Sequence, residues 1–177
     1  GSWAESPVLQ QELRERGFRE DTDEDAPICR WMVDGIKVDV MPTDGEVLGF
    51  ANRWYELGLR LAKPFPLTTM TTIRLITAPL FIATKLEAFF DRGDGDFQLS
   101  HDLEDIVAIV DGRPELRDEI KRSEAEVRDY LRARVRHLLA DQYFRDSLPG
   151  HLAGDVGSQS RLPILVQRLE AIVEDIE

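Results

Sequence analysis

The chain has 177 residues and a formal net charge of −12, from 22 basic and 34 acidic side chains. This length fits one domain, or one domain with a helical extension, and is enough for a substantial core. The acidic balance argues against broad, sequence-independent nucleic-acid binding, which needs a basic surface. A single cysteine excludes an internal disulfide, and the sequence contains neither a membrane-spanning apolar run nor a signal peptide. We therefore expect a cytoplasmic protein without membrane contact.

The first predicted elements are a helix and a β-hairpin. An amphipathic helix is predicted from Trp3 to Arg16, with Gly17 as its C-cap. The segments Ile28–Val33 and Ile36–Met41 are rich in β-forming residues. Asp34-Gly35 lies between them and is typical of a two-residue hairpin turn.

Asp39 lies on the second strand of this predicted hairpin. Because side chains alternate along a strand, Asp39 and Lys37 point away from the apolar face. The residue pattern by itself favours a surface aspartate that pairs with Lys37 or with a neighbouring strand.

The middle of the chain is predicted to hold a partly helical stretch, Phe50–Ala62, and two short strands, Phe65–Leu67 and Ile73–Ile76. Arg74 alternates with apolar neighbours on the second of these strands. It either faces the same cleft as Asp39 or pairs with an acidic residue, and the sequence leaves both interpretations open.

Residues Pro79–Arg113 are predicted to form two helices joined by a polar, glycine-rich loop. Ser100 is the predicted N-cap of the second helix. Asp102 and Asp105 are three residues apart and therefore lie on one flank of its apolar stripe. This pattern places Lys85 and two carboxylates at the edge of a buried surface, where charges need partners or a ligand.

The chain after Arg113 is predicted to be helical. A short helix, Pro114–Lys121, precedes a longer one that ends at Ala140 and opens with a capping box at Ser123. A loop is predicted for residues 151–159, and Pro163 lies in the first turn of a final helix. These helices either pack on the preceding part of the chain or form a wall of a substrate site.

Three motifs between residues 83 and 107, ATKLEAF, RGDGD and SHDLEDIV, resemble the C-terminal half of the nucleotidyltransferase-fold family that includes the AbiEii-type toxins. The likeness continues upstream through GFRED and KVDVMPTD, and covers roughly residues 3–113. It implies an α/β (α+β) fold with a small mixed sheet flanked by helices. A helical region, residues 114–177, is expected to pack on this partial nucleotidyltransferase-like domain.

The resemblance implies an enzyme that moves a nucleoside monophosphate from a nucleoside triphosphate, such as ATP, to a hydroxyl acceptor, with Mg²⁺ as cofactor. The acceptor is a tRNA, a protein or a small molecule. Asp39 would ligate the metal or act as base, and Lys85 would hold phosphate oxygens. Asp102 and Asp105 would orient Lys85 or contact the nucleotide, and Arg74 would add to nucleotide binding. We expect Asp39, Lys85 and Asp102 to converge on one cleft.

Two further metal carboxylates of the family, an Asp-x-Asp pair on a strand after a Gly-Ser motif, have no counterpart before Asp39. Either the chain is a fragment, or residues are absent from the sequence, or catalysis has been lost. We therefore expect the chain alone to bind nucleoside triphosphate weakly and to transfer nothing. The alternative is a catalytically silent interaction module or a toxin-like protein controlled by a partner such as an antitoxin. Separately, we expect the chain either to self-associate through the Ile28–Met41 hairpin or to need a complementing segment.

Overall fold

The computed structural model describes residues 6–41, 52–92 and 95–174. They divide into two compact units, Gly1–Tyr55 (unit 1) and Glu56–Glu177 (unit 2). The fold class is mixed α+β, as predicted, because both helices and antiparallel strands are present. The helices on both sides of Arg113 belong to unit 2, and the predicted extent of the nucleotidyltransferase-like domain, residues 3–113, stays a prediction.

Unit 1 contains a helix and a three-stranded sheet. Its elements are α1 (Ser6–Glu15), β1 (Arg19–Glu20), β2 (Arg30–Val33) and β3 (Ile36–Asp39), with antiparallel strand order β1-β2-β3. The predicted C-cap of α1 is confirmed, since Gly17 has a φ of +87° that favours glycine. Its N–H donates to the Arg14 carbonyl, and the Phe18 N–H donates to the Leu13 carbonyl, which closes the helix end.

The β2–β3 hairpin turns at the predicted Asp34-Gly35 pair. Both residues have positive φ, 50° and 78°, as a two-residue turn between twisted strands requires. Val33 pairs with Ile36, and the same register places Arg30 opposite Asp39. The turn therefore determines which residue faces Asp39.

Unit 2 is mainly helical. Its elements are α2 (Tyr55–Leu61, whose first residue ends unit 1), β4 (Lys63–Pro66), β5 (Thr72–Leu75), α3 (Ala78–Arg92), α4 (His101–Gly112), α5 (Leu116–Lys121), α6 (Ala125–Ala140), α7 (Gln142–Ser147), a 3₁₀ helix (Leu148–His151), α8 (Val156–Gln159) and α9 (Leu162–Val173). Both sheets consist of antiparallel pairs. The expected single mixed sheet is thus replaced, in the described residues, by two antiparallel sheets. The pairs β2–β3 and β4–β5 are close along the chain, and short connections favour antiparallel pairing.

The core of unit 2 lies where α3, α4, α6 and α9 pack together. Each helix contributes one buried apolar stripe, as helical periodicity predicts. The buried apolar residues are Leu80, Ile82, Ala83, Leu86 and Phe89 on α3, Leu103, Ile106, Val107 and Val110 on α4, Val127, Leu131, Val135 and Leu138 on α6, and Leu165, Leu169 and Ile172 on α9. The C-terminal helices therefore pack directly on the two helices that carry Lys85, Asp102 and Asp105.

Two local predictions differ from the structure. The capping box at Ser123 is not formed, because the Ser123 hydroxyl donates to the Ile120 carbonyl and the N-cap of α6 is Glu124. The predicted loop 151–159 includes the short helix α8, since the Asp155 side chain accepts a hydrogen bond from the Ser158 N–H and caps its start. No helix within residues 6–41, 52–92 and 95–174 is both long and apolar enough to cross a bilayer.

Candidate functional site

The candidate site lies on the adjoining helices α3 and α4 of unit 2. Lys85 is near the middle of α3, and Asp102 and Asp105 are in the first half of α4. The predicted N-cap is confirmed, because the Ser100 hydroxyl oxygen accepts a hydrogen bond from the Leu103 N–H at 3.4 Å. Asp102 then lies in the first turn, where the helix dipole favours a negative charge.

Lys85 lies between the two carboxylates, and we call these three side chains the Lys85 cluster. The Lys85 Nζ is 3.2 Å from Asp102 Oδ1 and 2.5 Å from Asp105 Oδ2. All three side chains are only partly exposed. Burial alone lowers the pKa of Lys85, but the hydrogen bonds and charges of Asp105 and Asp102 outweigh it and raise the pKa above its ordinary value. Lys85 is therefore fully charged at neutral pH.

Phe81 is a neighbour of this cluster that the sequence analysis did not identify. Its ring centroid lies 5.7 Å from the Lys85 Nζ, within the range of a cation–π contact. The two residues are four apart on α3, so the spacing on its own places them on the same face. The cluster thus has an aromatic side as well as an acidic side.

Asp39 belongs to unit 1, where it forms a cross-strand ion pair. Arg30 Nε donates to Asp39 Oδ1 at 2.7 Å, and Arg30 Nη2 donates to Oδ2 at 2.9 Å. The hydrogen bond from Arg30 holds the pKa of the Asp39 carboxyl below its usual range. This is the neighbouring-strand pairing that the residue pattern favours, whereas Lys37 lies 4.0 Å from Asp21. The convergence of Asp39 with the Lys85 cluster stays a prediction.

Arg74 lies on β5 and contacts backbone carbonyls, and it pairs with no acidic side chain among the residues that the structure describes. Its Nη2 donates to the carbonyl oxygens of Leu59 at 3.1 Å and Ala62 at 3.1 Å, at the C-terminal end of α2. Cationic side chains stabilise helix C-termini because the last carbonyls have no intrahelical partner. Arg74 therefore has a structural role at α2, and its contribution to nucleotide binding stays a prediction.

The described acids do not fit a Mg²⁺ site. Both Asp39 oxygens accept hydrogen bonds from Arg30, and Asp102 and Asp105 face the Lys85 ammonium. Over residues 6–41, 52–92 and 95–174, no three His, Cys, Asp or Glu side chains are grouped so that they could hold a metal ion. The roles of Mg²⁺ and of Asp39 as its ligand stay predictions.

Comparison with known proteins adds no relative: no protein family, no curated protein and no solved structure matches the chain. The likeness to nucleotidyltransferases is therefore a resemblance in the motifs quoted above. Three of its residues, Lys85, Asp102 and Asp105, lie together in the structure.

Proposed function

We propose that unit 2 carries the nucleotide-binding part of a nucleotidyltransferase, which moves a nucleoside monophosphate from a nucleoside triphosphate to a hydroxyl acceptor. The observation that carries this proposal is the Lys85 cluster. A lysine and a D-x-x-D helix, far apart in the sequence, meet at a partly exposed helix edge in the arrangement that the resemblance implies.

Lys85 has the chemistry that phosphate binding requires. Its ammonium is a compact charge with three N–H donors, and Asp102 and Asp105 account for two of them among the described residues. The carboxylates hold the flexible lysine stem in one orientation, so less conformational entropy is lost when an oxygen anion binds. In this proposal Lys85 contacts a phosphate oxygen, and Asp102 and Asp105 are positioning residues.

The same charges limit the affinity. Lys85, Asp102 and Asp105 sum to a net charge of −1, so a triphosphate meets one attractive and two repulsive groups. We therefore expect weak binding, with the Lys85 ammonium supplying most of the attraction. Removal of this single charge should have a large relative effect on affinity.

Titration of the purified chain with ATP tests the proposal. Lys85→Met removes the charge and keeps an unbranched apolar stem, and we expect it to weaken ATP binding by about tenfold, the value of one charge-assisted hydrogen bond. Lys121→Met is the matched control, because Lys121 is an exposed lysine of α5 with no side-chain ion pair among the described residues. Equal loss of affinity in the two variants would show that only overall charge matters and would exclude the proposed site.

A second candidate function, an interaction module controlled by a partner, is favoured by the β4–β5 hairpin. Its connecting segment exposes large apolar side chains, including Leu67 and Met70, and Met70 is 95% exposed. Exposed apolar patches mark protein interaction sites. If this is the main function, we expect Met70→Ser to abolish binding of the partner without changing the affinity for ATP. Lys85→Met should then change neither partner binding nor the affinity for ATP.

A further inference from the structure

Unit 2 contains a cavity of about 750 Å³ that neither the resemblance nor the Lys85 cluster accounts for. The β4–β5 hairpin, the start of α3, the end of α4 and the α5–α6 junction form its walls. Its volume lies within the roughly 300–1,000 Å³ that small-molecule sites occupy. The size therefore suits a single small ligand.

One wall of the cavity is apolar and partly aromatic. The β4–β5 register pairs Lys63 with Leu75, so Lys63, Phe65 and Leu75 share one face of the hairpin. Phe65 and Leu75 line the cavity and remain 47% and 46% exposed. Phe81 on α3 adds a second aromatic ring to the lining. Phe65 and Leu75 offer apolar surface to a ligand, because nearly half of each residue remains exposed.

The charged residues of the lining are mostly basic. The Arg113 guanidinium donates two hydrogen bonds, of 2.7 and 2.8 Å, to the Glu119 carboxylate, and these lower the pKa of Glu119. Lys63 and Arg122 make no side-chain hydrogen bond or ion pair with any residue that the structure describes, although the charges of both also help to lower the pKa of Glu119. Together with Glu124, the lining sums to +1 in a chain of net charge −12. A locally positive cavity in an acidic protein favours an anion.

Two N-terminal and two C-terminal helix ends line the cavity. The first residues of α3 and the N-cap of α6 both line the cavity. Glu124 makes no side-chain capping hydrogen bond, so the first N–H groups of α6 are not capped by a side chain. The C-terminal ends of α4 and α5 line the cavity as well, so the helix dipoles partly offset one another, and the preference for an anion rests on Lys63 and Arg122.

We propose that this cavity binds a small amphipathic anion, with an aromatic or aliphatic body and one sulfonate, carboxylate or phosphate group. The body packs against Phe65, Leu75 and Phe81, and the anionic group pairs with Arg122 and Lys63. The proposal does not depend on nucleotide binding at Lys85.

A pair of dyes that differ in one anionic group tests this proposal on the full chain. 8-Anilinonaphthalene-1-sulfonate has an aromatic body and a sulfonate, and N-phenyl-1-naphthylamine is its neutral analogue. We expect the sulfonate to bind the wild type at least about tenfold more tightly, as one charge-assisted hydrogen bond predicts. Arg122→Ala should remove most of that difference, and Arg122→Lys should restore part of it. Lys121→Ala, next along the chain but outside the lining, should leave both affinities within about twofold.

The location of the bound dye completes the test. Backbone amide shifts on dye binding should concentrate at Thr77, Ser123 and Glu124, and Phe65→Ala should weaken both dyes. Equal affinity of the two dyes, equal effects of Arg122→Ala and Lys121→Ala, or shifts confined to the exposed Met70 segment would each overturn the proposal.

Discussion

Lys85 carries a single positive charge between two carboxylates, so its replacement affects the stability of unit 2 as well as its charge. Lys85→Met leaves Asp102 and Asp105 facing each other at a partly buried edge. We expect a loss of about 1–2 kcal/mol in the free energy of unfolding, more than an exposed pair supplies and less than a fully buried one. Urea unfolding followed by circular dichroism measures it. Asp105→Asn in the Lys85→Met background should recover part of the loss, and a Lys85→Met protein as stable as Lys121→Met would contradict this account.

The interaction of Lys85 with Asp102 and Asp105 also predicts that the stability of unit 2 depends on pH at alkaline pH. Because folding raises the pKa of Lys85, its contribution to stability is fully present below the ordinary value of 10.5 and is lost as pH rises through the folded value. The stability difference between the wild type and Lys85→Met should therefore be constant from pH 7 to about pH 10 and shrink above that. A difference that instead disappears between pH 7 and 9 would require another titrating group.

The Arg30–Asp39 ion pair predicts the opposite pH dependence for the stability of unit 1, with the loss at acidic pH. Its pKa is lowered by Arg30, so its contribution is present above the ordinary value of 3.8 and is lost as pH falls through the folded value. Asp39→Asn should lower stability at pH 7 by at most about 1 kcal/mol, because the pair is partly exposed. The loss should shrink as the pH falls below 3.8. All three tryptophans lie in residues 1–55, so tryptophan fluorescence reports on this unit. A variant whose deficit grows on acidification would rule out the Arg30 pair as its cause.

At the scale of single residues, the sequence predicted side-chain neighbours correctly where the repeat of a helix or a hairpin fixes which residues lie side by side. The D-x-x-D spacing placed Asp102 and Asp105 on one flank, and the two-residue turn could also have predicted Arg30 opposite Asp39 by counting outward from Asp34-Gly35. Arg74 could not be assigned in this way. Its partners are carbonyl groups of α2, and the approach of α2 to β5 is decided by tertiary packing.

At the scale of elements, α4 depends on its N-cap for a defined start. Ser100→Ala removes the side-chain acceptor for the Leu103 N–H, and we expect unit 2 to lose about 0.5–1 kcal/mol. The value is near the low end for N-caps because the hydrogen bond is long, at 3.4 Å. Ser160→Ala is the matched control, since its hydroxyl donates only to the Gly157 carbonyl near a short helix. Equal losses in the two variants would show that the Ser100 cap has no special role.

The long helices were predictable because each carries an apolar stripe, and the β2–β3 hairpin was predictable because of its Asp-Gly turn. The close packing of α2 against the end of β5 was not predictable from the sequence. A Cβ on Gly58 would lie 2.8 Å from Ile76 Cδ1, so glycine permits the contact between α2 and the end of β5. The sequence shows that position 58 is a glycine, but it does not show which side chain packs against that glycine.

At the scale of the whole molecule, β3 is one of the two edge strands of its sheet within the described residues, and Ile36 at its start is 62% exposed. Unpaired strand edges recruit further strands. The net charge of −12 opposes association, but it is screened beyond about 8 Å at physiological salt, and apolar burial gains about 25 cal/mol per Å². We expect self-association in sedimentation experiments at physiological salt.

Ile36→Lys should abolish this association, because a charged residue on an edge strand disfavours pairing. Leu99→Lys, at a still more exposed apolar position of unit 2, should not change it. A wild-type chain that sediments as a monomer at physiological salt would contradict the prediction.

The division into two units was not predictable from composition. The stretch around Tyr55 lacks the Pro-, Gly- or Ser-rich character of a linker, whereas Gly112-Arg113-Pro114 resembles a boundary. In the structure, residues after Arg113 stay in unit 2 because α6 and α9 bury the apolar faces of α3 and α4. The apolar stripes of these helices indicate that they pack on other elements, but the local sequence does not specify which elements those are.

The most direct test of the proposed nucleotide site is a map of the backbone amide shifts that ATP induces in the labelled chain. We predict the largest shifts at Lys85, Asp102 and Asp105, with Lys85→Met removing them and Arg122→Ala leaving them in place. Shifts absent from the Lys85 cluster, or centred instead on Thr77 and Ser123 and removed by Arg122→Ala, would contradict a nucleotide site at Lys85.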